Sequence, residues 1–233
     1  MTAKKCDPQQ HYTVLIKILK AIYTDPMLRT VLGFKGGTAA VLFYGLPRVS
    51  VDLDFDLLDS AQEHMVFERL KESLHQFGII KDATIKHNTL FFLIDYQTGA
   101  KNIKIDISRR GAPASFQVKT YLGIPMAVMN KTDMITGKLA ALPTRKKFAA
   151  RDLYDLWYFL EHEWEVNEAL LREKTGLALR DALNHAIQKI ENLHDRQLLQ
   201  GVGKYLSEKQ KVWVRNNLKK DLLFLLKLYR ERS

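Results

Sequence analysis

The stretch FKGGTAAVLFYGLPRVSVDLDFDLL, Phe34 to Leu58, decides the fold. In its second half Val51, Leu53, Phe55 and Leu57 alternate with Asp52, Asp54 and Asp56. A period of two puts the apolar side chains on one side of an extended chain and the carboxylates on the other, which predicts a strand with a buried face and an acidic face. In its first half, Gly36 and Gly37 precede a run from Thr38 to Tyr44 that suits a short helix, with Thr38 as its N-cap and Gly45 with Pro47 as its stop. The residues leading in, Thr30 to Phe34, are a short apolar run.

Acids at i and i+2 on a strand sit about 6 to 7 Å apart on one face, close enough for their carboxylates to converge on a shared cation. Left in a dry site they would repel, so the pattern is stable in water or against something positive. Mg²⁺ suits the position, because it takes one or two carboxylates together with nucleotide phosphates. A third acid, Asp106, lies mid-strand among Ile103, Ile105 and Ile107, and with it the site could hold two ions about 4 Å apart for in-line phosphoryl displacement. Gly36, Gly37 and Thr38 complete this reading: glycines let backbone amides approach a phosphate, and a helix start aims N–H groups at it. An exposed strand face often carries charge and Gly-Gly is common in turns, so the reading rests on the combination.

Around this centre the periodicity predicts a helix over His11 to Tyr23, another over Gln62 to Phe77, and strands over Ile79 to His87, Leu90 to Tyr96 and Asn102 to Ser108. The last two are expected to join through a turn at Thr98-Gly99. Beyond Pro125 the pattern turns helical: Lys131 to Leu142, Ala150 to His162, Val166 to Arg172, Leu177 to Ile190, Asp195 to Leu206 and Glu208 to Arg230. There is no internal repeat and no low-complexity linker. The break at Pro143 divides a mixed α/β part, 1–142, from an all-helical part, 143–233.

At 233 residues, 46% hydrophobic and 10% aromatic, the chain can build a core. The N-terminal residues lack a secretory leader's apolar stretch and no later run approaches a membrane span, so the expectation is a cytoplasmic protein with no membrane partner. One cysteine, Cys6, excludes an internal disulfide framework and a cysteine-based zinc site. The seven histidines are scattered without metal-ligand spacing. A net charge of +10 favours polyanionic partners: nucleic acid, nucleotides or an acidic protein.

The order Gly36-Gly37-Thr38, then Arg48-x-Ser50-x-Asp52-x-Asp54, then Lys138-Leu-Ala-Ala-Leu, then Arg151-Asp152-Leu-Tyr-Asp155-Leu resembles the AbiEii/AbiGii toxin family of the polymerase-beta-like nucleotidyltransferases. The likeness spans about Phe34 to Leu160. The glycine pair and D-x-D are shared across that superfamily, whereas the two later elements point to this branch. The resemblance implies an α/β (α+β) fold, a nucleotidyltransferase core over 1–142 with a mixed sheet and flanking helices, followed by the helical C-terminal domain. It also implies Mg²⁺-dependent transfer of a nucleotide from an NTP, and a toxin role in phage defence or a toxin-antitoxin system with a cognate antitoxin. Residue by residue, it makes Asp52 and Asp54 metal ligands and Gly37 and Thr38 phosphate contacts, with Gly36, Arg48 and Ser50 in the same nucleotide-binding motif. Lys138 becomes an NTP-binding lysine, Asp152 the acid of the last motif, and Asp106 the third strand carboxylate. RNA, tRNA included, is the acceptor it favours.

The later residues read compatibly on their own. Lys138, Arg145, Lys146, Lys147 and Arg151 gather in a stretch without acids between Asp133 and Asp152, where a triphosphate or an RNA backbone would be attracted. Lys146 and Lys147 read as a solvated loop, Asp152 as a functional acid or helix cap, and Asp155 as a structural partner of Arg151. The final helix carries Lys209, Lys211, Arg215, Lys219, Lys220 and Lys227 beside an apolar stripe: a solvated face, or one that guides RNA or docks an antitoxin. Two rival functions are a non-catalytic nucleotide- or RNA-binding module, and transfer to a small molecule such as an antibiotic. A strongly basic chain suits a cationic drug poorly.

Overall fold

A computed structural model describes residues 8–97, 102–111, 114–145 and 149–232. Cys6, the Thr98-Gly99 turn, Lys146 and Lys147 lie outside the described residues. The chain divides into two compact units. The first runs to Gly45 and takes in Ser50–Gly111 and Phe116–Met129; the second takes in Leu46–Val49, residues 114–115 and the chain from Asn130 onward.

The first unit is built in chain order from α1 (Pro8–Thr24), α2 (Leu28–Val31), β1 (Leu32–Lys35), α3 (Gly36–Tyr44), β2 (Leu53–Leu57), α4 (Glu63–Leu74), β3 (Ile79–Lys86), β4 (Thr89–Asp95), β5 (Ile103–Ser108), β6 (Phe116–Tyr121) and β7 (Ile124–Met129). Its sheet has the order β3-β4-β5-β2-β1-β7-β6. The β2–β5 and β1–β7 pairs are parallel and the rest antiparallel, so the expected mixed sheet is present.

On one face Leu53, Phe55, Ile105 and Phe92 are wholly buried. Tyr23 of α1 packs on Phe55 with ring centroids 6.4 Å apart, and Phe67 of α4 packs on Phe92 at 5.0 Å. Burying each of these side chains is worth about 1.5–3 kcal/mol, and a one-residue slip of β2 would exchange them for carboxylates, so the apolar alternation pins the register.

The β6–β7 hairpin was not anticipated from sequence. Pro125, beyond which only helices were expected, lies in β7 opposite Thr120. The hairpin turns at Leu122-Gly123, both with positive φ (48° and 77°), as a two-residue turn of this kind requires.

The second unit contains α5 (Lys131–Thr144), α6 (Ala150–Glu161), α7 (Glu168–Thr175), α8 (Leu179–Glu191), α9 (Glu208–Trp213) and α10 (Lys219–Arg232). Helix α5 packs against α6, α7 and α8, and α10 against α6 and α8. The units therefore change at Met129/Asn130 rather than at 142/143: Ile135, Leu139 and Leu142 are buried among the C-terminal helices. Pro143 does not break α5 but sits in its last turn, where Lys189 Nζ donates to the Leu142 and Arg145 carbonyls.

The helix expected over Asp195 to Leu206 is reduced to two 3₁₀ turns, Asp195–Gln197 and Gly203–Tyr205, because Gly201 between them takes a left-handed φ of 75°. The final helix is interrupted by a π-helical turn, Val214–Leu218. Its basic face is partly consumed: Lys219 donates to the Glu191 and Leu193 carbonyls, Lys227 pairs with Glu191 and Lys211 with Glu208.

Candidate active site

The acidic face of β2 is continued by its neighbours in register. Lys35 stands opposite Asp54, Asp54 opposite Asp106, Asp106 opposite Phe91 and Phe91 opposite Thr84, one row across five strands. Parallel pairing of β2 with β5 is what brings Asp54 and Asp106, 52 residues apart in sequence, side by side on the same face. Asp56, on the same face, is held in an ion pair by Lys35 Nζ.

Asp52 lies just outside the strand, which begins at Leu53, and its Oδ1 is buried without a hydrogen-bond partner. A buried carboxylate oxygen left without a donor is costly unless a cation takes it. Among the described residues no group of three or more His, Cys, Asp or Glu side chains forms a ready metal cage. The donors offered here are carboxylate oxygens, which fit a Mg²⁺ that completes its coordination with water and triphosphate oxygens.

The segment carrying Asp52 has no ladder of its own at that point and is held by side chains. Thr38 is 1% exposed, and its hydroxyl contacts the Asp52 carbonyl and, at 2.9 Å, Ser50 Oγ. A carbonyl only accepts, so the Thr38 proton goes to Asp52 and Ser50 donates to Thr38. From the other side His11, 4% exposed, places Nε2 3.0 Å from the Val51 carbonyl and Nδ1 3.0 Å from the Tyr96 hydroxyl. By the same logic Nε2 carries a proton toward the Val51 carbonyl, and Nδ1 shares a hydrogen bond with the Tyr96 hydroxyl. Two successive carbonyls, at Val51 and Asp52, are thus gripped by α1 and α3.

Thr38 is not the cap of α3, which starts at Gly36 with no side-chain cap at Lys35. Gly36 has φ 78°, and a Cβ there would come within 2.8 Å of the Asp54 Cβ, closer than such atoms pack. Glycine is what lets the helix start pass against the carboxylate. Gly37 is buried in the same turn.

The remaining sequence-derived candidates fall in the second unit, in one ionic network. Arg48 grips Asp155 through Nε at 2.6 Å and its terminal guanidinium nitrogen at 2.8 Å. Lys138 Nζ lies 2.7 Å from Asp155 and 2.8 Å from Asp152, and Arg145 also pairs with Asp152. The Asp155 side chain is 0% exposed, Arg48 3%, Asp152 3% and Lys138 18%. Asp155 does not pair with exposed Arg151 as expected, since its oxygens are taken by Arg48 and Lys138.

Burial by itself would raise both carboxyls, but Lys138 and Arg48 hold Asp155, and Lys138 and Arg145 hold Asp152, below the usual aspartate range. Burial likewise works against the Lys138 ammonium, and the charges of Asp152 and Asp155 more than offset it, raising its pKa. Arg48, Lys138 and Asp152, singled out in the sequence, meet in one ionic network, of which the sequence did not reveal Asp155 as the hub; nor did it point to His11. The i, i+3 spacing of Asp152 and Asp155 carried the first signal. Nothing local to His11 carries the second.

A seven-stranded mixed sheet bearing register-paired aspartates beside a Gly-Gly helix start defines a nucleotidyltransferase-type fold. The profile of a family described as nucleotidyl transferase AbiEii toxin, Type IV TA system, matches residues 17–209, and the chain belongs to this family. Among solved structures, JHP933 from Helicobacter pylori is similar over 98% of this chain and 94% of its own, at 19% identity and a TM-score of 0.62. MenT4, a nucleotidyltransferase toxin from Mycobacterium tuberculosis, is similar over 94% of this chain and 85% of its own, at 17% identity and a TM-score of 0.55. At such identities the likeness concerns the fold. No curated protein sequence matches the chain. Among the described residues no helix is long and apolar enough to cross a membrane.

Proposed function

We propose that the protein is a Mg²⁺-dependent nucleotidyltransferase that moves a nucleotide from an NTP to RNA, tRNA being the leading acceptor, and acts as the cytoplasmic toxin of a toxin-antitoxin or abortive-infection system. The observation that carries this reading is the pairing of Asp54 with Asp106 beside Asp52, whose buried Oδ1 has no protein partner. Asp52, Asp54 and Asp106 would hold the metal, which when bound supplies charge neutralisation of the triphosphate and of the acceptor oxygen.

The chain's own residues do the positioning. Gly36 and Gly37 keep the helix start open to a phosphate, and Thr38 and Ser50, in the same nucleotide-binding motif, also set the carboxylate-bearing segment. Lys138, kept charged by Asp152 and Asp155, is the group assigned to the triphosphate, with Arg48 fixing Asp155 behind it. Asp152 orients the acceptor hydroxyl or, through its ion pairs, Lys138.

The test is incubation with each labelled NTP, Mg²⁺ and total RNA, followed by 3′-end sequencing of RNA from cells expressing the protein. Label in RNA that disappears with Asp52→Asn supports the reading. Absence of label from RNA and protein alike, with toxicity unchanged in the variant, overturns it. Nucleotide or RNA binding that survives loss of both Asp52 and Asp54 without product would mark a non-catalytic module. Label on a small molecule would point to the other rival.

A further inference from the structure

The row that carries Asp54 and Asp106 does not end with the acids. Its next member is Phe91 of β4, an aromatic on the polar face of the sheet where the period of two calls for a solvated residue. Phe91 and its same-face neighbour Leu93 are both half-buried, whereas Leu90, Phe92 and Ile94 on the opposite face are at 0% exposure. The flanking strands present cations: Lys86 of β3 places Nζ 3.5 Å from the Phe91 ring centroid, and Lys104 of β5 lies 5.8 Å from it. Lys86, Thr84 and Lys104 are exposed.

A core explanation fails for Phe91, since it is on the wrong face. A solubility explanation fails as well, since an aromatic on an open sheet face is a liability unless something stacks on it. An aromatic ring between lysines, one strand from a pair of carboxylates, offers a π-face for a base and ammonium groups for its phosphates. That combination is how sheet faces bind single-stranded nucleic acid.

We propose that the face formed by Phe91, Lys86 and Lys104 binds the single-stranded end of the acceptor RNA, Phe91 stacking on a base close to the reacting terminus. This rests on the nucleotidyltransferase reading for its purpose but not for its test. Lys86 now covers the ring, and an exposed cation–π contact is weaker than base stacking, so an incoming base displaces the ammonium toward the backbone phosphate. The charge of the chain agrees with this occupant over an acidic protein, because the patch also offers an aromatic platform that a carboxylate-rich surface does not use.

The experiment is fluorescence anisotropy of a labelled 12-nucleotide single-stranded RNA against the full chain without NTP, for wild type, Phe91→Leu, Phe91→Trp and Lys104→Glu. Phe91→Leu keeps apolar volume and removes the π-face, and should weaken binding about tenfold, as loss of one stacked base does. Phe91→Trp should bind at least as well as wild type. Lys104→Glu should weaken binding and flatten its salt dependence. NTP affinity, measured separately, should be unchanged in Phe91→Leu, and matching melting curves show that the variants fold.

Equal RNA affinity for Phe91→Leu and wild type overturns the proposal, as does a wild type that binds no RNA while transferring label to protein. Phe91-dependent RNA binding in a protein that transfers no label upholds this surface and overturns the enzyme reading instead.

Discussion

Asp54 and Asp106 are register partners across the parallel β2–β5 pair, two like charges placed side by side on strands whose opposite-face residues Leu53, Phe55, Ile105 and Ile107 are wholly buried. Like charges directly opposite on neighbouring strands destabilise a sheet, although the Lys104 ammonium stands 4.0 Å from Asp106.

That cost gives a first prediction. Asp54→Asn and Asp106→Asn should each abolish nucleotide transfer, by a factor of about 10² or more if the residue acts only in the transition state. Each should leave the melting temperature unchanged or raise it by about 1–3 °C as repulsion is relieved. Rate assays and thermal melts on the same preparations check both signs. A fall of several degrees would mean that these acids support the fold rather than a ligand.

Gly36→Ala should do the reverse, losing activity and stability together. Its φ of 78° strains any L side chain, and the added methyl meets the Asp54 side chain. A penalty of at least about 1 kcal/mol is expected from the backbone alone, measured by urea denaturation.

The grip on the Asp52 segment predicts a different split. Thr38→Val keeps shape but removes the hydroxyl donated to the Asp52 carbonyl, and His11→Ala removes the donor to Val51. Each should cost about 1–3 kcal/mol of stability, the usual penalty for a buried acceptor left bare, and should raise the Mg²⁺ concentration needed for half-maximal activity. Direct Mn²⁺ titration followed by electron paramagnetic resonance reads the same shift without turnover. His11→Gln, which can still donate, should restore most of it. Variants that lose stability with unchanged Mn²⁺ affinity would confine both residues to the fold.

Within the second unit, Lys138→Met leaves Asp152 and Asp155 short of a cation in a dry setting, and loss of about 3–5 kcal/mol is expected. The pH dependence has a definite sign. Asp152 and Asp155 have folded-state values below their unfolded ones, so their contribution is fully present above the ordinary aspartate value of about 3.9 and is lost as the pH falls through the depressed values. Denaturation midpoints measured between pH 7 and pH 2 should decline steeply at the acid end for wild type and less steeply for Asp155→Asn. Parallel profiles would rule the network out as a source of acid lability.

The sequence exposed the centre of the molecule well and its margins poorly. The VDLDFD alternation was legible because burial of Leu53, Phe55 and Leu57 depends only on which side of a strand each residue occupies. The β6–β7 hairpin was not, because β6 lies at the sheet edge and both faces of FQVKTY are partly exposed, which blurs the period that marks a strand. The false helix over Asp195 to Leu206 followed apolar spacing past two glycines whose backbone does not sustain it.

What the sequence determined by itself is the set of acids and the turn that serves them: Asp52 and Asp54 at strand spacing behind Gly36-Gly37, since spacing along one segment is a local property. What only the tertiary structure decided is who stands beside whom. Strand pairing put Asp106 and Phe91 in the row of Asp54, and helix packing brought His11 to Val51 and Arg48 and Lys138 to Asp155. His11 and Val51 are 40 residues apart along the chain, and Arg48 and Asp155 are 107 apart. No local period encodes such pairings, because they are fixed by which arrangement buries the most apolar surface while leaving the fewest polar groups without a partner.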